Sequence, residues 1–308
     1  MPSYRALRAK HSFMELALTP ELAAEVTLLP VEELGVDAAI LFSDILVILL
    51  TLGCKVDFVE GTGPQVLAPE RFEQRDVSET LQPVFEALKL LKGTLKVPLL
   101  GFAGAPFTVA SYLLGGLTAA KKRMLGDPQA FAKLIDLLTE LTIEYLVLQA
   151  EAGADAVQVF DTWAGELGVK HYRAYSLSPL KRICVALQEK NIPVILFSRK
   201  TAQHLPALAA LKPTALSVDW TVDLPSLRHG IVSKPIALQG NFDPDLLYCD
   251  EKMIRETVAS TLEAMQGDGG YIVNLGHGIK PDMEQARVAA FVEAVKEIGA
   301  CASAPSRI

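Results

Sequence analysis

The chain has 308 residues, of which 50% are hydrophobic, 21% charged and 7% aromatic, and this composition excludes disordered, collagen-like and small disulfide-stabilised proteins. Its formal net charge of −7 at pH 7 argues against a nucleic-acid-binding protein, whose binding domain is usually basic. An anionic substrate is not excluded, because a pocket can hold a local positive field against the global sign.

Short apolar runs alternate with longer amphipathic segments along the whole chain. Most of these runs are continuously apolar, as is typical of parallel strands that are buried on both faces. In chain order the predicted strands are Ala38–Phe42, Pro98–Phe102, Ala156–Phe160, Pro193–Phe197, Ala215–Val218, Ile236–Leu238 and Tyr271–Leu275.

Capping residues mark where several of the intervening helices begin. Thr19 stands before Pro20, and Asp127 stands before Pro128, which is the usual order of an N-cap and a first helical proline. Asp250 is placed to cap another helical pattern. Repeated strand and helix units of this kind predict right-handed crossovers and a parallel sheet.

Polar residues and glycines follow the end of every predicted strand. In a (β/α)8 barrel that edge carries the active site, whereas an open doubly wound sheet gathers its site at one switch point. The pattern favours an α/β fold of the (β/α)8 TIM barrel type, with residues 1–308 as a single domain. We expect the eighth strand around Lys55–Val59 and a frayed tail after Gly299.

The cysteines and the apolar segments bear on the cellular compartment. The four cysteines lie far apart without a Cys-x-x-Cys pair, as is typical of thiols in a reducing compartment. The N-terminal segment MPSYRALRAKHSF lacks the apolar core of a secretory signal. The longest apolar stretch contains Asp37 and Asp44, which disfavour a membrane span. We therefore expect a cytoplasmic protein that does not enter the membrane.

Two strand ends carry a residue suited to chemistry. Asp44 lies in the apolar segment AAILFSDILVILL, where burial would raise its pKa unless a cation or an N–H group stabilised the charge. It is either a functional acid, or an N-cap or a salt-bridged acid at a strand end. His277 lies between Gly276 and Gly278, where the backbone is free to approach a ligand; the alternative is a hydrogen bond within the loop.

Other candidates are less specific. The segment GFAGAPFT, followed by Tyr112, predicts a tight turn that could present N–H groups to an anion, but it is not a dinucleotide-binding motif. Asp161 and Asp219 also end strands, and each is either catalytic or a helix cap. His-x-Cys, Cys-x-x-Cys, His-Glu-x-x-His and Gly-x-Ser-x-Gly motifs do not occur, so neither a metal centre nor a covalent nucleophile is expected.

Six segments in order carry a resemblance to a known family: YRALRAKHSF, TPELAAEVTLLPVEELGVDAAILFSDILV, GFAGAPFT, SVDWTV, LQGNFDP and NLGHGI. They resemble the uroporphyrinogen decarboxylase family over nearly the whole chain. The resemblance implies a (β/α)8 barrel, usually a homodimer. It also implies cofactor-free loss of CO2 from the four acetate side chains of uroporphyrinogen III, giving coproporphyrinogen III.

The resemblance also implies the core of the site. It makes Asp44 the catalytic acid that binds the pyrrole N–H groups at the centre of the macrocycle. It makes Ile40 and Phe42 the apolar wall beside that acid. A porphyrinogen has four inward N–H donors and an outer ring of carboxylates, which suits one central acid and a cationic rim.

The same resemblance implies four further substrate contacts. Tyr112, Ser198 and His277 match groups that contact the substrate near its acid side chains. Arg8, in YRALR, matches a basic substrate-binding position. The family's Arg-Gln-Ala-Gly-Arg-Tyr-x-Pro motif has no counterpart before Tyr4, so the chain as given is expected to be weak on uroporphyrinogen.

Two alternatives remain open. A non-catalytic porphyrinogen-binding paralogue would bind porphyrinogen tightly without turnover. A zinc-dependent methyltransferase on the same barrel, using cobalamin or a thiol, would contain stoichiometric zinc. Such enzymes need a His-x-Cys, where this chain has Phe197-Ser198-Arg199.

Overall fold

The computed structural model describes residues 1–59, 63–230 and 235–303, with side chains described as far as residue 300. These residues pack into two compact units. Among the described residues, the first comprises Met1–Val31 and Asp37–Thr201, and the second comprises Glu32–Val36 and the part of Ala202–Ile308 that ends at Ser303. Within the described residues, no helix has the length and apolar character needed to cross a membrane.

The described strands are short and are mostly separated by helices. In chain order they are β1 Ala39–Ile40, β2 Lys55–Val59, β3 Gly63–Leu67, β4 Leu99–Gly104, β5 Ala156–Asp161, β6 Val194–Ser198, β7 Ala215–Ser217, β8 Ala237–Phe242 and β9 Tyr271–Leu275. All seven strands predicted from apolar runs are present. β9 has its predicted ends, and the other six strands differ from the predicted ends by up to four residues, most at β8.

The described helices fall between the strands and at both ends of the chain. In chain order they are α1 Pro2–Arg8, α2 Phe13–Leu18, α3 Pro20–Leu34, α4 Val77–Thr80, α5 Gln82–Lys92, α6 Pro106–Leu113, α7 Leu117–Gly126, α8 Pro128–Glu151, α9 Val169–Tyr172, α10 Ser178–Glu189, α11 Leu205–Ala209, α12 Leu224–Gly230, α13 Glu251–Ala264 and α14 Gln285–Ser303. Most of the frayed tail expected after Gly299 lies beyond Ser303, outside the described residues.

Side-chain caps start α8 and α13, two of the three helices for which the sequence predicted one. The Asp127 carboxylate accepts a hydrogen bond from the Ala130 N–H at 3.1 Å, at the start of α8. The Asp250 carboxylate accepts one from the Met253 N–H at 2.8 Å, at the start of α13. These caps satisfy N–H groups that have no partner within their helix.

The first unit contains a parallel sheet in which β1 pairs with β4, β4 with β5, and β5 with β6. Because these strands are parallel, their carboxyl ends lie along one edge of the sheet. The register places Asp161, at the end of β5, opposite Ser198, at the end of β6. In the second unit β7 pairs with β8 and β8 with β9, again in parallel.

One element differs from the expectation. Lys55–Val59 is a strand, but it pairs antiparallel with Gly63–Leu67 in a separate hairpin, so the suggestion that it supplies the eighth barrel strand is wrong. Val56 is the one buried residue of this strand. A strand with so little buried surface does not have the two covered faces of a strand in a parallel sheet.

Candidate active site

Asp44 lies beyond the carboxyl end of β1, where the chain leaves the first unit's sheet. Its Oδ1 accepts a hydrogen bond from the Leu46 N–H at 2.8 Å. Burial raises the pKa of this carboxyl to about 6, while the hydrogen bond from Leu46 lowers it in part. Near neutral pH the group is therefore mostly a carboxylate in an apolar setting, with lone pairs available to a ligand's N–H donors.

Apolar and aromatic side chains flank this acid. Ile40 is 48% exposed although it is a large aliphatic residue at the end of a strand. Phe42 is half-buried, and its ring centroid lies 5.1 Å from that of Phe13 and 5.8 Å from that of Tyr4. An exposed aliphatic side chain next to a fixed aromatic ring forms a surface suited to the face of an apolar macrocycle.

Helix α1 brings Arg8 to the same region. The Arg8 guanidinium interacts with the Tyr4 hydroxyl, which lowers the Tyr4 pKa, although burial has the larger effect and raises it. Arg8 Nη1 also donates a hydrogen bond to the His11 carbonyl at 2.6 Å. Arg8 interacts with Tyr4, and the Tyr4 ring contacts Phe42. Arg8 therefore lies on the same side of the site as Phe42.

Tyr112 lies at the carboxyl edge of the neighbouring strands. It is on α6, and its half-buried ring meets the Trp163 ring edge-to-face with centroids 6.0 Å apart. Trp163 lies two residues beyond the end of β5. Ser198, the last residue of β6, is only 4% exposed and lies near the Tyr172 hydroxyl.

Asp161 ends β5 and is completely buried. Its Oδ1 accepts a hydrogen bond from the Thr108 hydroxyl at 2.9 Å, and its Oδ2 accepts one from the Ser176 hydroxyl. Burial raises the pKa of Asp161 to about 6, and the hydrogen bonds from Ser176 and Thr108 lower it in part. These donors are side chains from other elements, so the carboxylate does not act as an N-cap in these bonds.

The sequence motifs do not indicate the hydroxyl groups of Thr108, Tyr172 and Ser176 as neighbours of Asp161, although Thr108 ends the segment GFAGAPFT. The four-residue spacing of Tyr172 and Ser176 is a helical spacing that places both on one face, and this was a signal that could have found them. Asp219, the other strand-end acid considered, accepts a hydrogen bond from the Thr221 N–H at 2.9 Å, which is a local turn contact.

His277 lies in the second unit, in the loop after β9. Its Nδ1 accepts a hydrogen bond from the Gly278 N–H at 2.7 Å, so a neutral ring carries its proton on Nε2. The preceding Gly276 packs closely, since a Cβ there would lie 2.7 Å from the Trp220 backbone nitrogen. The loop that presents the imidazole therefore requires glycine at that position.

No group of three or more His, Cys, Asp and Glu side chains suited to a metal occurs in residues 1–59, 63–230 and 235–303. At the end of β6, Ser198 and Arg199 stand where a His-x-Cys would be needed for the zinc-dependent alternative.

A family model described as uroporphyrinogen decarboxylase (URO-D) matches residues 1–298. The chain belongs to this family. It is 45% identical to the uroporphyrinogen decarboxylase of Protochlamydia amoebophila over 96% of this chain and 84% of that protein. It is 40% identical to the enzyme of the same name from Cellvibrio japonicus over 97% of this chain and 89% of that protein. The resemblance found in the sequence motifs is confirmed.

Solved structures agree with the fold. A methyltransferase from Methanosarcina mazei aligns with a TM-score of 0.79 at 25% identity, over 94% of this chain and 88% of that one. A B12-independent methionine synthase from Shewanella sp. W3-18-1 aligns with a TM-score of 0.65 at 12% identity, over 92% and 87% of the two chains. The second likeness concerns the fold alone. The fold class is the predicted α/β class of the (β/α)8 barrel type.

Proposed function

We propose that this protein decarboxylates the four acetate side chains of uroporphyrinogen III to methyl groups, giving coproporphyrinogen III in tetrapyrrole biosynthesis. The observation that carries the proposal is Asp44, a half-buried carboxylate beside an apolar wall, in a chain of the uroporphyrinogen decarboxylase family. Such a group is suited to a substrate with inward N–H donors, because charge-assisted hydrogen bonds are strongest where water is excluded.

The chemistry needs a temporary electron sink at each pyrrole. Protonation of a pyrrole carbon creates a cation, and the electrons of the bond between the acetate methylene and its carboxylate flow into that ring as CO2 leaves. A proton then adds to the methylene carbon, and the ring loses the first proton, so that each cycle exchanges one CO2 for one H⁺. Asp44 stabilises the cation electrostatically, and no cofactor is required.

The remaining predicted side chains serve binding in this proposal. Ile40 and Phe42 cover the macrocycle face beside Asp44. Arg8 binds a substrate carboxylate through its guanidinium. This cation offsets locally the repulsion between a substrate rich in carboxylates and a protein of net charge −7.

Three polar groups complete the set of proposed contacts. Tyr112 and His277 donate hydrogen bonds near the acid side chains of the substrate. Ser198, at the end of β6, contacts the substrate in the same region. Each such bond to a charged group contributes about 1.5–3 kcal/mol to binding or positioning.

The direct test is incubation of the full chain with uroporphyrinogen III under anaerobic, reducing conditions. We expect coproporphyrinogen III to accumulate without added metal or cofactor. Tight porphyrinogen binding without any CO2 release would contradict the proposal and favour the binding-only paralogue.

We further propose that residues 1–308 act as a single barrel domain, in the cytoplasm and as a homodimer, as the family resemblance implies. The described cysteines support a reducing compartment, since Cys54, Cys184 and Cys249 are free thiols. Light scattering on the purified chain tests the dimer, and a monomeric mass at micromolar concentration would contradict it.

A further inference from the structure

Asp161 is a buried acid that the proposed reaction does not use. Its backbone lies between two of the proposed substrate contacts, because β5 pairs with β4 on one side and with β6 on the other. β4 leads into α6, which carries Tyr112, and β6 ends at Ser198. Its carboxylate oxygens bind two different hydroxyl groups, from Thr108 and from Ser176. Two lines of contacts, each a series of neighbouring side chains, therefore meet at this carboxylate: one begins at Thr108 and the other at Ser176.

The first line leads to Tyr112. The Thr108 hydroxyl donates its proton to Asp161 Oδ1 and therefore accepts, through its lone pairs, the hydrogen bond from the Trp163 backbone N–H at 3.2 Å. Trp163 in turn packs edge-to-face against Tyr112. Thr108 and Tyr112 are also four residues apart on α6, which places them on one face of that helix.

The second line leads to Ser198. Ser176 donates to Asp161 Oδ2 and lies in the π-helical turn Arg173–Leu177 that follows α9. Tyr172 is completely buried, and its hydroxyl lies near both Ser176 and Ser198, which lower its pKa against the larger effect of burial, which raises it. The Asp161 carbonyl additionally accepts a hydrogen bond from the Arg199 N–H at 3.2 Å, next to Ser198 in the chain.

We propose that Asp161 is a positioning residue: its two carboxylate oxygens hold two separate lines of contacts, one ending at Tyr112 and the other at Ser198. An ionised carboxylate only accepts hydrogen bonds, so it fixes the direction of both hydroxyl protons at once. An amide at this position offers one acceptor and one donor group, so one of the two hydroxyls must turn. This inference rests on the proposed decarboxylation, whose substrate Tyr112 and Ser198 contact.

The test compares Asp161→Asn with Thr139→Val. Thr139 is equally buried, and its hydroxyl donates to the Ile135 carbonyl at 2.6 Å, away from both lines of contacts. The chain has two tryptophans, so Trp220→Phe is introduced into every protein to leave Trp163 as the sole indole emitter. The readouts are Trp163 emission without substrate, kcat/KM at equal folded fraction, and the distribution of partly decarboxylated products.

We expect Asp161→Asn to shift the Trp163 emission, to lower kcat/KM about 10- to 100-fold and to release partly decarboxylated porphyrinogens. Thr139→Val should leave the emission and the product distribution unchanged. If Asp161→Asn does not fold, Thr108→Val and Ser176→Ala each remove one of the two hydroxyl groups that donate a hydrogen bond to Asp161. Thr108→Val should then shift the emission, while Ser176→Ala should lower activity with the emission unchanged.

Two results would overturn the inference: unchanged Trp163 emission in Asp161→Asn (or, failing that protein, in Thr108→Val), or kinetics indistinguishable from those of Thr139→Val. If the unmutated protein makes no coproporphyrinogen, the proposed function fails separately. The emission measurement still decides the positioning role in that case, because it requires no substrate.

Discussion

Asp44 has a proposed catalytic role, and its burial disfavours the charged form of its carboxyl group. Burial raises its pKa to about 6, which means that the folded protein holds a carboxylate where a neutral side chain would be more stable. Such a group is retained at functional sites because it acts on charge that develops during the reaction.

We expect Asp44→Asn to lower turnover by about 10²- to 10³-fold, since it removes the charge that stabilises the pyrrole cation and keeps the size of the side chain. The measurement is coproporphyrinogen formation under anaerobic conditions. Asp37→Asn, at an exposed position before the other end of β1, is the matched control and should retain activity. Near-normal turnover of Asp44→Asn would contradict the central role of this acid.

His277 is expected to position substrate rather than to abstract a proton. His277→Asn should cost about 1–3 kcal/mol of transition-state stabilisation, as the loss of one hydrogen bond to a charged group does. Product analysis should show moderately slower decarboxylation and accumulation of intermediates that keep some acetate groups. Complete inactivity with unchanged substrate binding would instead indicate an obligatory acid–base role.

At the scale of elements, the loop after β5 lies directly against the residues that follow β6. Gly165 belongs to the short 3₁₀ turn Ala164–Glu166, and a Cβ on it would lie 2.3 Å from the Arg199 carbonyl oxygen and 2.7 Å from that of Lys200. Backbone atoms cannot move aside as a flexible side chain does. The close approach therefore depends on glycine.

We expect Gly165→Ala to destabilise the protein by about 1–3 kcal/mol, because the added methyl group forces the two loops apart. Gly168, in the same loop, has no neighbouring atom within 4 Å of the place that a methyl group would occupy. Gly168→Ala is therefore the matched control and should change stability by less than about 0.5 kcal/mol. Urea unfolding of both variants checks this. Equal urea midpoints for Gly165→Ala and Gly168→Ala would show that the loops separate without loss of stability.

At the scale of the whole molecule, the buried acids make stability depend on pH. The folded pKa of both Asp44 and Asp161 is about 6, above the usual value of 3.8. Between these values the folded state binds more protons than the unfolded state, so the unfolding free energy falls as pH rises from about 4 to about 6. Acids with a lowered pKa, such as Asp76 and Asp155, have the opposite effect on the unfolding free energy. They raise it near neutral pH, and this contribution is lost as the pH falls through their folded pKa.

We therefore expect Asp44→Asn to be more stable than the unmutated protein near pH 7, by up to about 3 kcal/mol, and to lose this advantage near pH 4. Urea unfolding at about pH 4.5 and about pH 7.5 measures the difference. Asp37→Asn again serves as the control. A stability difference that does not change with pH would show that the Asp44 carboxyl does not titrate differently on folding.

The sequence by itself determined the parallel strands, the capped starts of α8 and α13, and the family. These features are encoded locally: continuous apolar runs mark strands buried on both faces, and a capping side chain binds an N–H group three residues away. The motifs around Asp44 and His277 likewise lie in short contiguous segments.

Only the tertiary structure decided the pairing of Lys55–Val59 in a hairpin and the partners of Asp161. Thr108 and Asp161 are 53 residues apart, and the register of β4, β5 and β6 brings their elements together. An isolated acid at a strand end has the same local sequence whether it caps a helix or binds distant hydroxyl groups. Its partners follow from packing between elements, which no single segment of the chain specifies.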